Sequence, residues 1–200
     1  MNTATIILLA AGLSSRMKGR DKLLEDIDGQ PLLRLMAGRA CKAGVPVCVV
    51  LGPGQDARRA ALADLNVDIV TAADDDGMAA SIRAGVAGRK GPVLIVLADM
   101  PEITAQDLYL MVSLGAHAPK AILRAASADG RPGHPVLFPA DLVPALSQLR
   151  GDQGAKPILS KEGGRITLLP LADARATIDL DTPEAWAAWR DARNKMSHWR

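Results

Sequence analysis

Thr5-Ile6-Ile7-Leu8-Leu9-Ala10-Ala11-Gly12-Leu13-Ser14-Ser15-Arg16-Met17 couples an apolar, β-branched run to a loop of small residues. The run reads as the first strand, over Thr5–Leu9. Working outward, helical periodicity follows from Pro31 to about Ala43, with Leu32, Leu35, Met36 and Ala40 on one face and Gly44 as a stop. A second strand is expected at Val45–Leu51, then a helix carrying Ala57, Ala61 and Leu65, a strand at Val67–Val70 and a helix at Met78–Val86. Val93–Ala98 is almost continuously apolar, belongs at the sheet centre, and ends at Asp99. Thr104 can cap a helix to about Leu114. Strands at Ala121–Ala125 and Pro135–Phe138, helices at Leu142–Leu149 and Lys156–Lys161, and short strands at Ile166–Leu169 and Thr177–Leu180 follow. Thr182-Pro183-Glu184 opens a last helix through Ala192, and residues 194–200 are expected to fray. Strands alternating with helices specify an α/β fold with a mostly parallel sheet in a single domain.

Composition narrows the function classes. The 24 Lys+Arg against 22 Asp+Glu leave a net charge of +2, too balanced for a chain that holds nucleic acid through phosphate attraction. Three Trp, one Tyr and one Phe offer few stacking platforms for single strands. No nucleic-acid partner is expected. The longest apolar stretch, Ala4 to Gly12, is far short of the ~20 residues of a membrane helix. The N-terminus has no charged segment ahead of that stretch, so a cytoplasmic location with no membrane association is expected. Cys41 and Cys48, with six residues between them, match neither a CxxC motif nor a zinc half-site and read as reduced, buried thiols.

The chemistry is expected at the strand ends. Open α/β sheets bind ligands beyond the carboxyl ends of their strands, which is where Gly12 and Asp99 fall. Small residues let backbone N–H groups approach phosphate oxygens, and Arg16 and Lys22 can neutralise the charge on them. The loop lacks the GxxxxGK[ST] and GxGxxG patterns. Asp74-Asp75-Asp76 reads as a solvated acidic loop.

Six islands then resemble a known family. Leu9 to Met17 with Lys22, Gly77-Met78-Ala79-Ala80-Ser81-Ile82-Arg83-Ala84-Gly85, Leu97-Ala98-Asp99-Met100-Pro101, Gly133-His134-Pro135-Val136-Leu137-Phe138, Gly151-Asp152-Gln153-Gly154-Ala155 and Asp179-Leu180-Asp181-Thr182-Pro183-Glu184 stand in family order. They resemble the MobA-like nucleotidyltransferases and, within these, the molybdenum cofactor (molybdopterin) cytidylyltransferases. The opening signature of that branch is LAAGxSxRMG followed by lysine. Here Lys18 precedes Gly19, a one-residue lengthening that resembles the guanylyltransferase branch, although that branch usually reads LAGG in place of Leu9-Ala10-Ala11-Gly12.

The resemblance implies a three-layer αβα sandwich like that of the nucleotide-diphospho-sugar transferases, its N-terminal half holding nucleotide and its C-terminal half the acceptor. It implies Mg²⁺ as cofactor, CTP as co-substrate and a molybdopterin-type acceptor, with a molybdoenzyme as possible recipient of the product. Arg16, Lys22 and Asp99 would be catalytic. Leu9, Ala10, Ala11 and Gly12 would contact the nucleotide, as would Ser81 unless it merely sits on its helix. Asp99 would hold the metal with Asp179 as second ligand, Asp181 being an alternative that an N-cap role also explains. His134 would touch pterin or phosphate, or else be a loop histidine bonded to backbone. Asp152 would order an acceptor loop or make a turn. Other readings are transfer to a different phosphorylated acceptor such as a sugar phosphate, use of GTP in place of CTP, or a non-catalytic accessory protein that carries the pterin cofactor.

Overall fold

Side-chain alternation within single strands divides the core into two halves. In β1 (Thr5–Leu9), Ile6 and Leu8 face one cluster while Ile7 and Leu9 face the other, as the period of two requires. The computed structural model describes residues 3–73 and 77–197; Asp74-Asp75-Asp76 lies outside the described residues. After β1 come β2 (Asp26–Ile27), β3 (Gln30–Pro31), α1 (Leu32–Cys41), β4 (Val47–Leu51), α2 (Asp56–Ala61), β5 (Asp68–Thr71), α3 (Gly77–Val86) and β6 (Val93–Leu97). The second half adds α4 (Ala105–His117), β7 (Ile122–Ala126), β8 (Pro132–Phe138), α5 (Val143–Leu146), α6 (Lys156–Lys161), β9 (Ile166–Pro170) and α7 (Pro183–Ser197).

Seven strands form one sheet in the order β5-β4-β1-β6-β8-β7-β9, and β2 pairs with β3 in a separate hairpin. β8 runs antiparallel to both of its neighbours and the other pairings in this sheet are parallel. Val93–Leu97 takes the central place its apolar run specified. One face carries Leu33 and Met36 of α1, Leu108 and Met111 of α4 and Trp186 of α7. The other carries Ala79, Ile82 and Val86 of α3, Val143 and Leu146 of α5 and Ile158 of α6. The result is the three-layer αβα sandwich. Thr104 caps α4 through a capping box: its Oγ1 accepts from Asp107 N at 3.1 Å, and Asp107 Oδ2 accepts from Thr104 N at 2.9 Å. Both cysteines are free thiols, but only Cys48 is buried as expected; Cys41, near the end of α1, is half-buried. Among the described residues no helix is long and apolar enough to cross a membrane.

Two expectations are corrected. Thr177–Leu180 is not a strand: the chain from Leu171 crosses the sheet end, and its bonds go singly to Ala126 O, Ala128 N, His134 N and Asp99 O instead of to a ladder. This crossing carries Asp179 and Asp181 to the end of β6, because Leu180 N donates to Asp99 O at 3.1 Å. The last helix also runs to Ser197, past Ala192, so 194–197 is helical, while 198–200 lies outside the described residues. Its extension is held by Arg190 over the Trp186 ring and paired with Glu25, and by Arg193 paired with Asp28.

Candidate active site

A cleft of about 640 Å³ opens beyond the carboxyl ends of β1 and β6. Leu9, Ala10, Ala11, Gly12, Lys22, Ser81 and Asp99 all line it, so most of the residues singled out from sequence share one cavity. Leu13, 82% exposed, stands at its mouth. Arg16, next to the lining residue Ser15, is itself outside the lining, exposed and paired with Asp181 at 2.5 Å. Asp179 and His134 are not in the lining.

The loop after β1 is fixed from behind by α2. Arg58, 2% exposed, donates to Ala10 O at 2.5 Å, to Ser14 Oγ at 3.1 Å and to both carboxylate oxygens of Asp21 at 2.7 and 2.9 Å. Gln55 donates to Ala11 O at 2.8 Å and accepts from Gly52 N at 2.8 Å. Two successive loop carbonyls are therefore anchored. Since a trans peptide sets N–H opposite C=O, the N–H groups of Ala11 and Gly12 are turned away from these anchors, on residues that line the cleft. Ser14 adopts φ 54 and accepts from Lys22 N at 3.2 Å, which delivers Lys22 to the loop's far end. The sequence offered no motif for Arg58 or Gln55: they come from another element, and their roles depend on tertiary contact.

Lys22 Nζ lies 2.5 Å from Asp99 Oδ2 and 2.5 Å from Asp181 Oδ1. Burial alone depresses an ammonium, but here the Asp99 charge and the hydrogen bonds to both carboxylates hold Lys22 above its ordinary range. Asp181 resists its own burial and titrates low, because it bonds Lys22 and feels Arg16. Asp179 moves the other way: burial and the negative charges of Asp181 and Asp99 raise it. Asp99 keeps its second oxygen, Oδ1, shielded from solvent and without a hydrogen-bond partner. Among the described residues no group of three or more His, Cys, Asp or Glu is arranged to cage a metal. Mg²⁺ needs only one or two carboxylates when phosphates supply the remaining oxygens. The unpartnered Asp99 oxygen fits such a cation, with Asp179 brought near it by the Leu180 N–Asp99 O bond.

The glycine island at α3 joins the cleft to the second half of the chain. Ala79 N donates to Gly151 O at 3.1 Å, and Gly77, at φ 52, lies so close to Asp152 that a Cβ there would meet its Oδ1 at 1.5 Å. Asp152 lines the cleft as well. His134 sits at the start of β8 with its backbone N donating to Ala176 O at 2.9 Å. Its pKa is lowered to about 4, by burial first and the Arg124 charge second, with Asp99 opposing. Its Nδ1 is closed off from solvent and unpartnered.

This fold and cleft have counterparts among known proteins. Residues 6–166 match the family model described as the MobA-like NTP transferase domain. The chain is 31% identical over 196 residues to a molybdenum cofactor guanylyltransferase of Pseudomonas aeruginosa, covering 94% of this chain and 96% of that one. It is 36% identical over 112 residues to the bifunctional protein GlmU of Gluconacetobacter diazotrophicus, a match that takes in 55% of this chain and 24% of that one. The chain therefore spans about a quarter of the length of the GlmU relatives. The crystal structure of Rv0371c from Mycobacterium tuberculosis superposes with a TM-score of 0.82 at 27% identity, covering 94% of this chain and 98% of that one. A second structure of Rv0371c, a complex with manganese, gives 0.78 at 25% identity, covering 94% and 97%. The fold is that of the nucleotide-diphospho-sugar transferases.

Proposed function

The chain belongs to the MobA-like NTP transferase family, and from that premise we propose that it transfers CMP from CTP to the terminal phosphate of molybdopterin, forming a cytidine dinucleotide and releasing pyrophosphate. Nucleotidyl transfer as such is the activity of the family; the base, the acceptor and the cytoplasmic setting are the proposal. The observation that carries it is the convergence of an anchored small-residue loop, Lys22 and Asp99 on one cleft.

The nucleophile in such a transfer is already an anion, so the chain's task is alignment and charge neutralisation, with little need of a general base. The N–H groups of Ala11 and Gly12 would meet the nucleotide on one side, and Ser81 and Asp152 would meet it on the other. Lys22 and Arg16 would hold the triphosphate and receive the charge that develops on pyrophosphate. Asp99, with Asp179 beside it, would hold Mg²⁺, which when bound supplies further neutralisation of the phosphates. Asp181 keeps Lys22 in place. The Rv0371c complex holds manganese, which supports a divalent cation here.

CTP rests on Leu9-Ala10-Ala11-Gly12 at the position where the guanylyltransferase branch reads LAGG. GTP is the second reading, favoured by the Pseudomonas guanylyltransferase match across nearly the whole chain and by the extra residue Lys18. The test is incubation of the protein with Mg²⁺, molybdopterin and either CTP or GTP, following pyrophosphate and identifying the product by mass. Turnover with CTP alone supports the proposal, and turnover with GTP alone replaces the base. Nucleotide binding without turnover turns the reading toward another phosphorylated acceptor or a carrier protein.

A further inference from the structure

Asp99 lines the nucleotide cleft, while Pro101 and Glu102, further along the same connection from β6 to α4, line a second cavity of about 460 Å³. No residue lines both. The wall of the second cavity also takes in Arg39 of α1, Arg175 of the crossing that begins at Leu171, and Trp189 and Arg193 of α7. Three guanidiniums therefore face one carboxylate. That carboxylate is already engaged, because Trp189 Nε1 donates to Glu102 Oε1 at 2.5 Å.

The three arginines are only partly used by the protein itself. Arg39 Nη1 donates to Pro101 O at 2.5 Å and to Ile103 O at 2.8 Å; among the described residues its Nε and Nη2 make no hydrogen bond, and it has no salt bridge. Arg175 Nη1 lies 3.5 Å from Asp107 Oδ2, an oxygen that accepts from Thr104 N in the capping box, and among the described residues its side chain donates no hydrogen bond. Arg193 pairs with Asp28 and lies over the Trp189 ring, 5.3 Å from its centroid. Asp28 and Asp107 stand outside the lining. Burial first, and the Arg193 charge, hold the Arg39 pKa below its ordinary range against the opposing charges of Glu102, Asp107 and Asp28. A guanidinium carries five N–H donors in a planar fork, so the recess holds more donors than its own carbonyls and carboxylates take up. Like charges gathered there repel, and an anion set among them offsets both the repulsion and the lost hydration.

We infer that this cavity is a binding site, separate from the nucleotide cleft, for a small anion bearing two or more phosphate or carboxylate groups. Its volume falls within the roughly 300–1,000 Å³ of small-molecule sites. Arg39, Arg175 and Arg193 come from three different elements and offer the forked donors that meet either kind of oxyanion. Through Arg39 the bound anion would also bear on the Pro101 and Ile103 carbonyls, just beyond Asp99. The site takes no part in nucleotidyl transfer as read above, and its test needs no turnover.

The purified chain is titrated, without Mg²⁺, with inorganic pyrophosphate and separately with citrate, following tryptophan emission and the heat of binding. Trp189 is part of the wall, so at least one probe is expected to give a saturable emission change, which Trp189→Phe abolishes while the heat persists. Arg39→Gln and Arg175→Gln are each expected to raise Kd about tenfold or more, and Lys22→Gln, in the nucleotide cleft, to leave it within about twofold. Arg39→Gln also frees two loop carbonyls; should it lower the melting temperature, Arg175→Gln decides, since Arg175 holds no such carbonyl among the described residues. Binding of pyrophosphate alone assigns the ligand to the phosphate class, and binding of citrate alone to the carboxylate class. Absence of saturable binding with both probes overturns the inference. So does a Kd that moves in Lys22→Gln and not in the arginine variants, which places the anion in the cleft.

Discussion

Lys22 Nζ stands 2.5 Å from Asp181 Oδ1, a contact between residues 159 apart in sequence. The pair titrates in opposite directions. Asp181 is lowered, so its stabilisation is present above the ordinary carboxylate pKa of 3.8 and is lost as pH falls through the depressed folded value. Lys22 is raised, so its stabilisation is complete below 10.5 and is lost as pH rises through the elevated folded value. The unfolding free-energy difference between wild type and Asp181→Asn should form a plateau between these limits and shrink at both ends. A difference independent of pH would remove the ion pair from the account.

Asp99→Asn keeps the side-chain shape and removes the charge proposed to hold the metal. Turnover is expected to fall by roughly 10²–10³ or more, with the melting curve little changed because Asp181 still pairs with Lys22. Retained Mg²⁺-dependent turnover would defeat the assignment.

Arg58→Lys preserves the charge and loses the fork that reaches Ala10 O, Ser14 Oγ and Asp21 together. Leaving buried acceptors short of donors should lower stability by about 1–3 kcal/mol. The loosened loop should raise nucleotide KM by roughly tenfold, equivalent to about 1.4 kcal/mol. Acceptor KM should hold. Equal effects on both substrates would make Arg58 a general structural residue.

Gly77→Ala meets two obstacles, φ 52 and the Asp152 carboxylate. The backbone conformation alone should cost about 1–2 kcal/mol, and displacement of the 151–154 segment should weaken nucleotide binding further. Adding Asp152→Ala should restore part of the stability but not of the binding. Simple additivity of the two substitutions in a double-mutant cycle would show that they do not touch.

His134 is held neutral, its pKa at about 4 against an ordinary 6.5. The unfolded chain binds that proton first, so stability should fall as pH drops from 6.5 toward 4. His134→Gln should flatten this part of the profile. A variant that keeps the full slope would assign it to other groups.

Residues that act through their own strand or loop were legible in the sequence. The apolar run ending at Asp99 specified a central strand, and Leu9-Ala10-Ala11-Gly12 specified the cleft wall, because period and residue size operate locally. Thr177–Leu180 misled: its apolar pattern suits a strand, but Thr177 N and Ile178 N turn back to Ala174 O and Leu180 N reaches Asp99 O, contacts that no periodicity encodes. Arg58 was missed for the same reason. An arginine in a short helix has no local signature of what its guanidinium reaches. Asp152 was visible as part of an island, but only its approach to Gly77 places it in the cleft.

The crossing that brings Asp181 to Lys22 also sets when the site can come into being. The family domain spans residues 6–166 and the last strand of the sheet, β9, ends at Pro170, yet the carboxylates beside Asp99 and the helix that pairs Lys18 with Glu184 and Glu25 with Arg190 come later. Contacts spanning some 160 residues close last, since their loops carry the largest entropic penalty. A nascent chain on the ribosome can therefore lay down its sheet well before it can assemble its charged centre, and becomes competent only after its final helix has emerged and docked.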